Sequence, residues 1–298
     1  MPAVIDSSAI QAVFAQPRSD GAFEGATLAY LKEVGARRNI LFLAFAPKAA
    51  GTFFRQAAMY AIGGDVFRMA HALGGRDGTP YLPNMLACYL DPDLPQIVAH
   101  IHMQAFGANR HLLDALNIRP VIMLRSIPDM LASFWDMLET DPVARAEGLN
   151  CVVPAHFTQM DRHAKADFMV DIIAPWYASY FASWKSFADE APKQVCVLRY
   201  RNFRLDPPES FHAALTHAGF TVSRSAAKAA LDRASSERAS LRFNKGTEGR
   251  GQSYFSPAHV AQIARLLSHY PHLAAWMPDL MGVSPAQKHA LNTTRAAS

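Results

Sequence analysis

Only three cysteines occur in 298 residues: Cys88, Cys151 and Cys196, widely separated and with no CxxC pair. That argues against a disulfide framework or a cysteine zinc module and points to a reducing compartment. Long apolar runs are also lacking, since no stretch reaches the roughly 18–20 residues of a membrane span. The opening segment, MPAVIDSSAIQAVFAQ, has no basic region followed by a long apolar stretch, so a cytoplasmic protein is expected. Dense charge is missing as well. The net charge of +4 is spread out, with no block of five or six like charges. A nucleic-acid partner would call for a basic stripe; a diffuse excess suits a compact anion. What the chain does have is apolar mass. Half the residues are hydrophobic and 18% are charged, enough for a sizeable core.

That apolar mass is arranged in short runs. NILFLAFA (39–46), QIVAHIHM (96–103), RPVIMLR (119–125) and QVCVLRY (194–200) are compact and rich in Val, Ile, Leu or Phe, as buried parallel strands are. Helical patterns lie between them: residues 25–38, 52–62, 108–117, 127–138 and roughly 163–189. After Tyr200 the patterning is helical over 208–219 and 223–238, and it restarts at Ser256-Pro257, an N-cap followed by proline. Strand alternating with helix predicts an α/β fold on a central parallel sheet of about four or five strands. No linker or repeat divides the chain, so 1–298 reads as one domain with a core of about 39–265 and a disordered tail over 284–298. Segments 64–95 and 139–165 read as substrate-facing insertions.

Chemistry concentrates at strand ends. PKAAGTFF (47–54) stands where the first strand hands over to a helix. Helix N-termini leave N–H groups unpaired and favour an anion. Gly51 permits close approach, Thr52 offers a cap and a hydroxyl, and Lys48 adds a cation. The bland reading is a capped helix start. The lysine precedes the glycine, so this is not a Walker A loop, and no metal-carboxylate partner follows a later strand. The third strand ends in Arg125, with Ser133 eight positions on. Either Arg125 pairs with Asp129 and Ser133 is solvated, or both face the ligand crevice of an open sheet. In VAHIHMQ, His100 and His102 share one face of a strand. They fit a general base, a satisfied structural histidine, or a metal pair with His111 as third ligand. His212 and His217, five apart, share no helix face.

In this order, P-K-x-x-G-T, R-x7-S and a late K-G-x-x-G resemble the sulfotransferase family, which uses 3′-phosphoadenosine 5′-phosphosulfate (PAPS). Here they are PKAAGT (47–52), RSIPDMLAS (125–133) and NKGTEGRG (244–251), and RYRNFRLDPPESF (199–211) is similar to the family's segment before the late loop. The resemblance spans about residues 39–265. It implies a P-loop-like sulfotransferase fold. Lys48, Ala49, Ala50, Gly51, Thr52 and Phe53 would hold the 5′-phosphosulfate, and Arg125 and Ser133 the 3′-phosphate, with Lys245, Gly246 and Arg250. Phe53 or Phe54 would stack on adenine, and His102 would act as base with His100 in reserve. It implies no metal, and an acceptor that is a small molecule, glycan, lipid or peptide. The chain departs from the family at Ala50, where P-K-x-G-T-T has glycine, and at Gly251, near the place of a usual Trp. A nucleotide-dependent kinase and a non-catalytic PAP or PAPS binder are the alternatives.

Overall fold

A computed structural model describes residues 22–70, 78–147, 151–237 and 248–283. Lys245, Gly246 and the tail 284–298 lie outside the described residues. Five short strands build one all-parallel sheet: β1 (Ile40–Leu43), β2 (Asp65–Phe67), β3 (Ile97–His100), β4 (Val121–Leu124) and β5 (Cys196–Arg199), in the order β2-β3-β1-β4-β5. Every residue of β1 and β4 is buried. Helices cover both faces of such a sheet, which explains runs that are apolar throughout rather than alternating. The edge strand β2 is only DVF, too short and too exposed to leave a hydrophobic signature.

Helices α1 (Ala22–Gly35), α2 (Gly51–Ile62), α3 (Leu82–Leu90), α4 (Gly107–Ala115) and α5 (Ile127–Thr140) alternate with the first four strands. Helix α3 falls within the stretch read from sequence as an insertion. Next, α6 (Arg162–Phe168) passes through a π turn, Met169–Ile173, into α7 (Ala174–Glu190). After β5 come α8 (Tyr200–Leu205), α9 (Pro207–His217), α10 (Arg224–Ser236), α11 (Gly251–Tyr254) and α12 (Pro257–Ser268). Local chemistry sets the starts. Ser126, Asp206 and Ser256 each accept a backbone N–H three residues on, with proline in the first turn.

From β1 the chain moves toward β2 on one side of the sheet. From β4 it moves to β5 on the other. The C-terminal ends of β1 and β4 therefore flank the point where the strand order reverses, the place where open α/β sheets hold ligands. The core beneath is aromatic: Phe54 packs on Phe45, Phe203 and Phe211, with ring centroids 5.2, 5.6 and 4.9 Å away. Helix α10 lies along α2, where Tyr60 bonds Glu237 and the Arg233 guanidinium sits 3.8 Å over the Tyr60 ring. Cys88, Cys151 and Cys196 are all free thiols, and burial pushes Cys88 up to about 12.

Candidate active site

Residues 47–50 turn from β1 into α2 through two left-handed backbones, Lys48 at φ 65 and Ala50 at φ 68. Left-handed conformation costs a side-chain-bearing residue about 1–2 kcal/mol. Two such residues within one turn are stored strain of the kind that gathers at binding sites. No side chain caps α2. Thr52, the expected cap, is thus not used that way, and the helix N-terminus keeps its capacity for an anion.

Arg125 explains how the turn is held. It is buried at the end of β4 and donates from Nη1 to the Lys48 carbonyl at 2.5 Å, with its guanidinium 4.3 Å over the Tyr200 ring. Its Nε is buried and has no partner among the described residues. No Arg125–Asp129 ion pair is found among them. Asp129 instead accepts N–H bonds from Gly249 at 2.9 Å and Gly251 at 2.8 Å, and so ties the late loop to α5. A Cβ on Gly251 would lie 2.4 Å from Pro128 Cβ, so this contact has no room for a side chain, let alone Trp. Ser133 is buried rather than solvated. Arg250 donates to Asp136 at 2.5 Å and to the Tyr254 hydroxyl at 3.2 Å, so its charge is already paired. Arg125, Asp129, Tyr200, Arg201, Gly249 and Gly251 share one cavity wall.

The lysine and histidines come from neighbouring strand ends. Lys48 Nζ approaches Met137 Sδ at 3.7 Å. The β1–β3 register pairs Leu43 with His100. The same offset continues beyond the strands, where His102 Nδ1 lies 2.7 Å from the Phe45 carbonyl. A carbonyl only accepts, so in the neutral ring Nδ1 carries the proton and Nε2 the lone pair. The two imidazoles meet edge to face, with centroids 4.9 Å apart. Burial, then His102 and Arg55, hold His100 well below the usual histidine range. His111 does not join them. Among the described residues, the three-residue group spaced for a metal is His163, Asp167 and His259, on α6 and α12. There His259 Nε2 and Asp167 Oδ1 are hydrogen-bonded at 3.0 Å.

Of the two phenylalanines expected at the nucleotide, Phe54 is fully buried in the core cluster and unavailable for stacking. Phe53 is buried too, with one edge on a groove lined by Ala50, Tyr200, Phe203, Arg204 and Pro207. The sequence marks 163–189 only as a helical pattern, and the structure gives α7 a further role. Its Tyr177 hydroxyl donates to the Pro47 carbonyl at 3.0 Å, Tyr180 donates to Ala44, and Trp184 Nε1 donates to Met103 at 3.0 Å. Burial holds both phenols above their usual range, so they remain donors. The available signal was the residue type: Tyr and Trp carry a polar tip that a buried stripe has to satisfy.

The fold and these residues define an α/β protein with a crevice at its switch point, lined by Arg125, Tyr200 and Arg201. No family model matches the chain, and no curated protein matches it. Among solved structures it aligns with mouse sulfotransferase SULT7A1 complexed with PAP, at TM-score 0.57 and 13% identity, over 91% of this chain and 95% of that one. Retinol dehydratase in a complex with retinol and PAP aligns at TM-score 0.45 and 11% identity, over 83% and 85% of the two chains. A sulfotransferase from Alicyclobacillus acidocaldarius aligns at 0.43 and 14%, over 84% and 98%. The fold is the one seen in SULT7A1, an assignment that rests on the first of these alignments.

Proposed function

We propose that this protein transfers a sulfuryl group from PAPS to a hydroxyl or amine of an acceptor. The observation that carries the reading is the meeting of two cation-bearing strand ends, with Arg125 Nη1 2.5 Å from the Lys48 carbonyl. The chain's own atoms fit a doubly phosphorylated nucleotide. An uncapped helix N-terminus and a lysine stand on one side, and a buried arginine with an unpartnered Nε on the other. PAPS, when bound, supplies an activated sulfuryl group and a phosphate leaving group. Lys48 and the 49–53 segment, with Thr52, hold the 5′ end and offset charge on the bridging oxygen. Arg125 and Ser133 take the 3′-phosphate, a role that motif resemblance extends to Lys245, Gly246 and Arg250. For Arg250 that role requires release from Asp136. Phe53 covers the base. His102 Nε2 receives the acceptor's proton as the new bond to sulfur forms. The cations are the protein's own, so the scheme requires no metal. The acceptor is a small molecule, glycan, lipid or peptide.

Calorimetry with PAP and with ATP, each with and without Mg²⁺, tests this reading. Metal-independent PAP binding that weakens at least tenfold in Arg125→Ala is expected. Binding of ATP only with Mg²⁺, with PAP ignored, would point to a kinase and sink the proposal. In an assay with labelled PAPS and screened acceptors, His102→Gln should lose about 10²–10⁴-fold in kcat with PAP affinity unchanged. Unchanged turnover in that variant would remove His102 as the base.

A further inference from the structure

The first motif has its glycine one position late, and the structure shows what occupies the vacated volume. An ideal Cβ on Gly51 would lie 2.3 Å from His100 Nε2 and 2.4 Å from His100 Cε1. The imidazole of β3 therefore sits where a side chain at the first residue of α2 would begin. Real Cβ atoms do not approach that closely, so only glycine at 51 is compatible with this ring position. Gly51 is not in a left-handed conformation, so the requirement is one of space and not of backbone freedom. Ala50 shows the converse: glycine would be at ease in its left-handed backbone, yet alanine stands there.

His100 also has an unmet need. The residue is half-buried, and its Nε2 is buried and has no hydrogen-bond partner among the described residues. A buried polar atom left unsatisfied is destabilising, so such an atom calls for a partner that arrives later. Nε2 lies beside the uncapped start of a twelve-residue helix, where an anion is favoured.

We propose that His100 replaces a residue-51 side chain as a donor to the 5′-phosphosulfate, with Nε2–H completing the anion site that the loop and helix begin. The assignment rests on the nucleotide reading above and gives the two histidines different work. His102 keeps a lone pair on Nε2 and takes a proton. His100 keeps a proton on Nε2 and gives a hydrogen bond, because an anion's oxygens only accept. It is a ligand to the donor nucleotide and not a second base.

The test is PAP calorimetry and thermal unfolding on wild type, His100→Ala, Gly51→Thr and the double variant. His100→Ala should bind PAP about tenfold more weakly while remaining folded. Gly51→Thr alone should lower Tm and lose most PAP binding, because the ring and the new side chain compete for one volume. Adding His100→Ala to Gly51→Thr should raise Tm and recover PAP affinity to within about tenfold of wild type, a strongly non-additive cycle. PAP affinity unchanged in His100→Ala, or effects that simply add, would overturn this assignment alone. A wild type that ignores PAP would overturn the nucleotide reading and this assignment with it. Should Gly51→Thr fail to fold, the His100→Ala affinity decides.

Discussion

Ala50 carries the clearest strain in the site. Its left-handed backbone, φ 68 and ψ 16, is one glycine adopts without penalty. Replacing it with glycine relieves about 1–2 kcal/mol of strain, and glycine's greater chain entropy returns about 0.5–1 kcal/mol of that. Ala50→Gly should therefore stabilise by about 0.5–1 kcal/mol, a rise of roughly 1 °C in Tm for a chain of this size. An unchanged or lowered Tm in calorimetric melting would mean the turn is not strained at this position. At this scale the sequence was informative about residue type and silent about partners. Lys48, Arg125 and His102 stood out because a cation or an imidazole at a strand end suits an anion or a proton, although each also had a bland structural reading. Nothing in the order of residues showed that Arg125 would bond to Lys48's own carbonyl, or that Gly51 and His100, forty-nine positions apart, would claim the same space.

Helices act here as clamps on loops. Helix α7 holds the segment after β1 through Tyr177 and Tyr180 and the segment after β3 through Trp184, so both loops inherit the rigidity of one long element. Helix α5 does the same for the late loop through Asp129. Its carboxylate takes both N–H groups at 249 and 251. Removing it leaves two donors unpaired, at a cost of about 1–3 kcal/mol. Asp129→Ala should speed hydrogen exchange across 249–255 and weaken PAP binding about tenfold, with Tm lowered only slightly. Exchange at the wild-type rate would show that the loop is held by something else. Most helices were legible because an apolar stripe at helical spacing survives any tertiary context. The exceptions have local causes. Helix α3 lies in the glycine- and proline-containing segment 64–95 that reads as an insertion, and α8 begins at Tyr200, directly at the end of a strand, with no spacer to mark the change.

For the whole molecule, acid is the informative perturbant. His100 is held neutral in the fold by burial, with His102 and Arg55 acting in the same direction. Its unfolded value is near 6.5. Below that pH the unfolded chain takes up a proton that the folded one refuses, so folding stability falls as pH drops. The loss approaches about 1.4 kcal/mol per pH unit and continues down to the depressed folded value. His217 adds to the loss, since burial lowers it despite its bond to the Gln194 carbonyl. Denaturant unfolding at pH 5.5 should give a stability about 1 kcal/mol below that at pH 7, and His100→Asn should reduce that difference. A flat profile between these pH values would mean His100 is protonated in the fold. Sequence by itself determined the α/β class, four of the five strands, and the strand-end positions of the lysine, arginine and histidines, because periodicity and residue chemistry are local properties. Only the tertiary structure decided which of these meet. The order β2-β3-β1-β4-β5 sets the ends of β1 and β4 side by side at the reversal point and lays β3 against β1. Strand order is a consequence of packing helices on both faces of a sheet, and no short-range pattern in the chain encodes it.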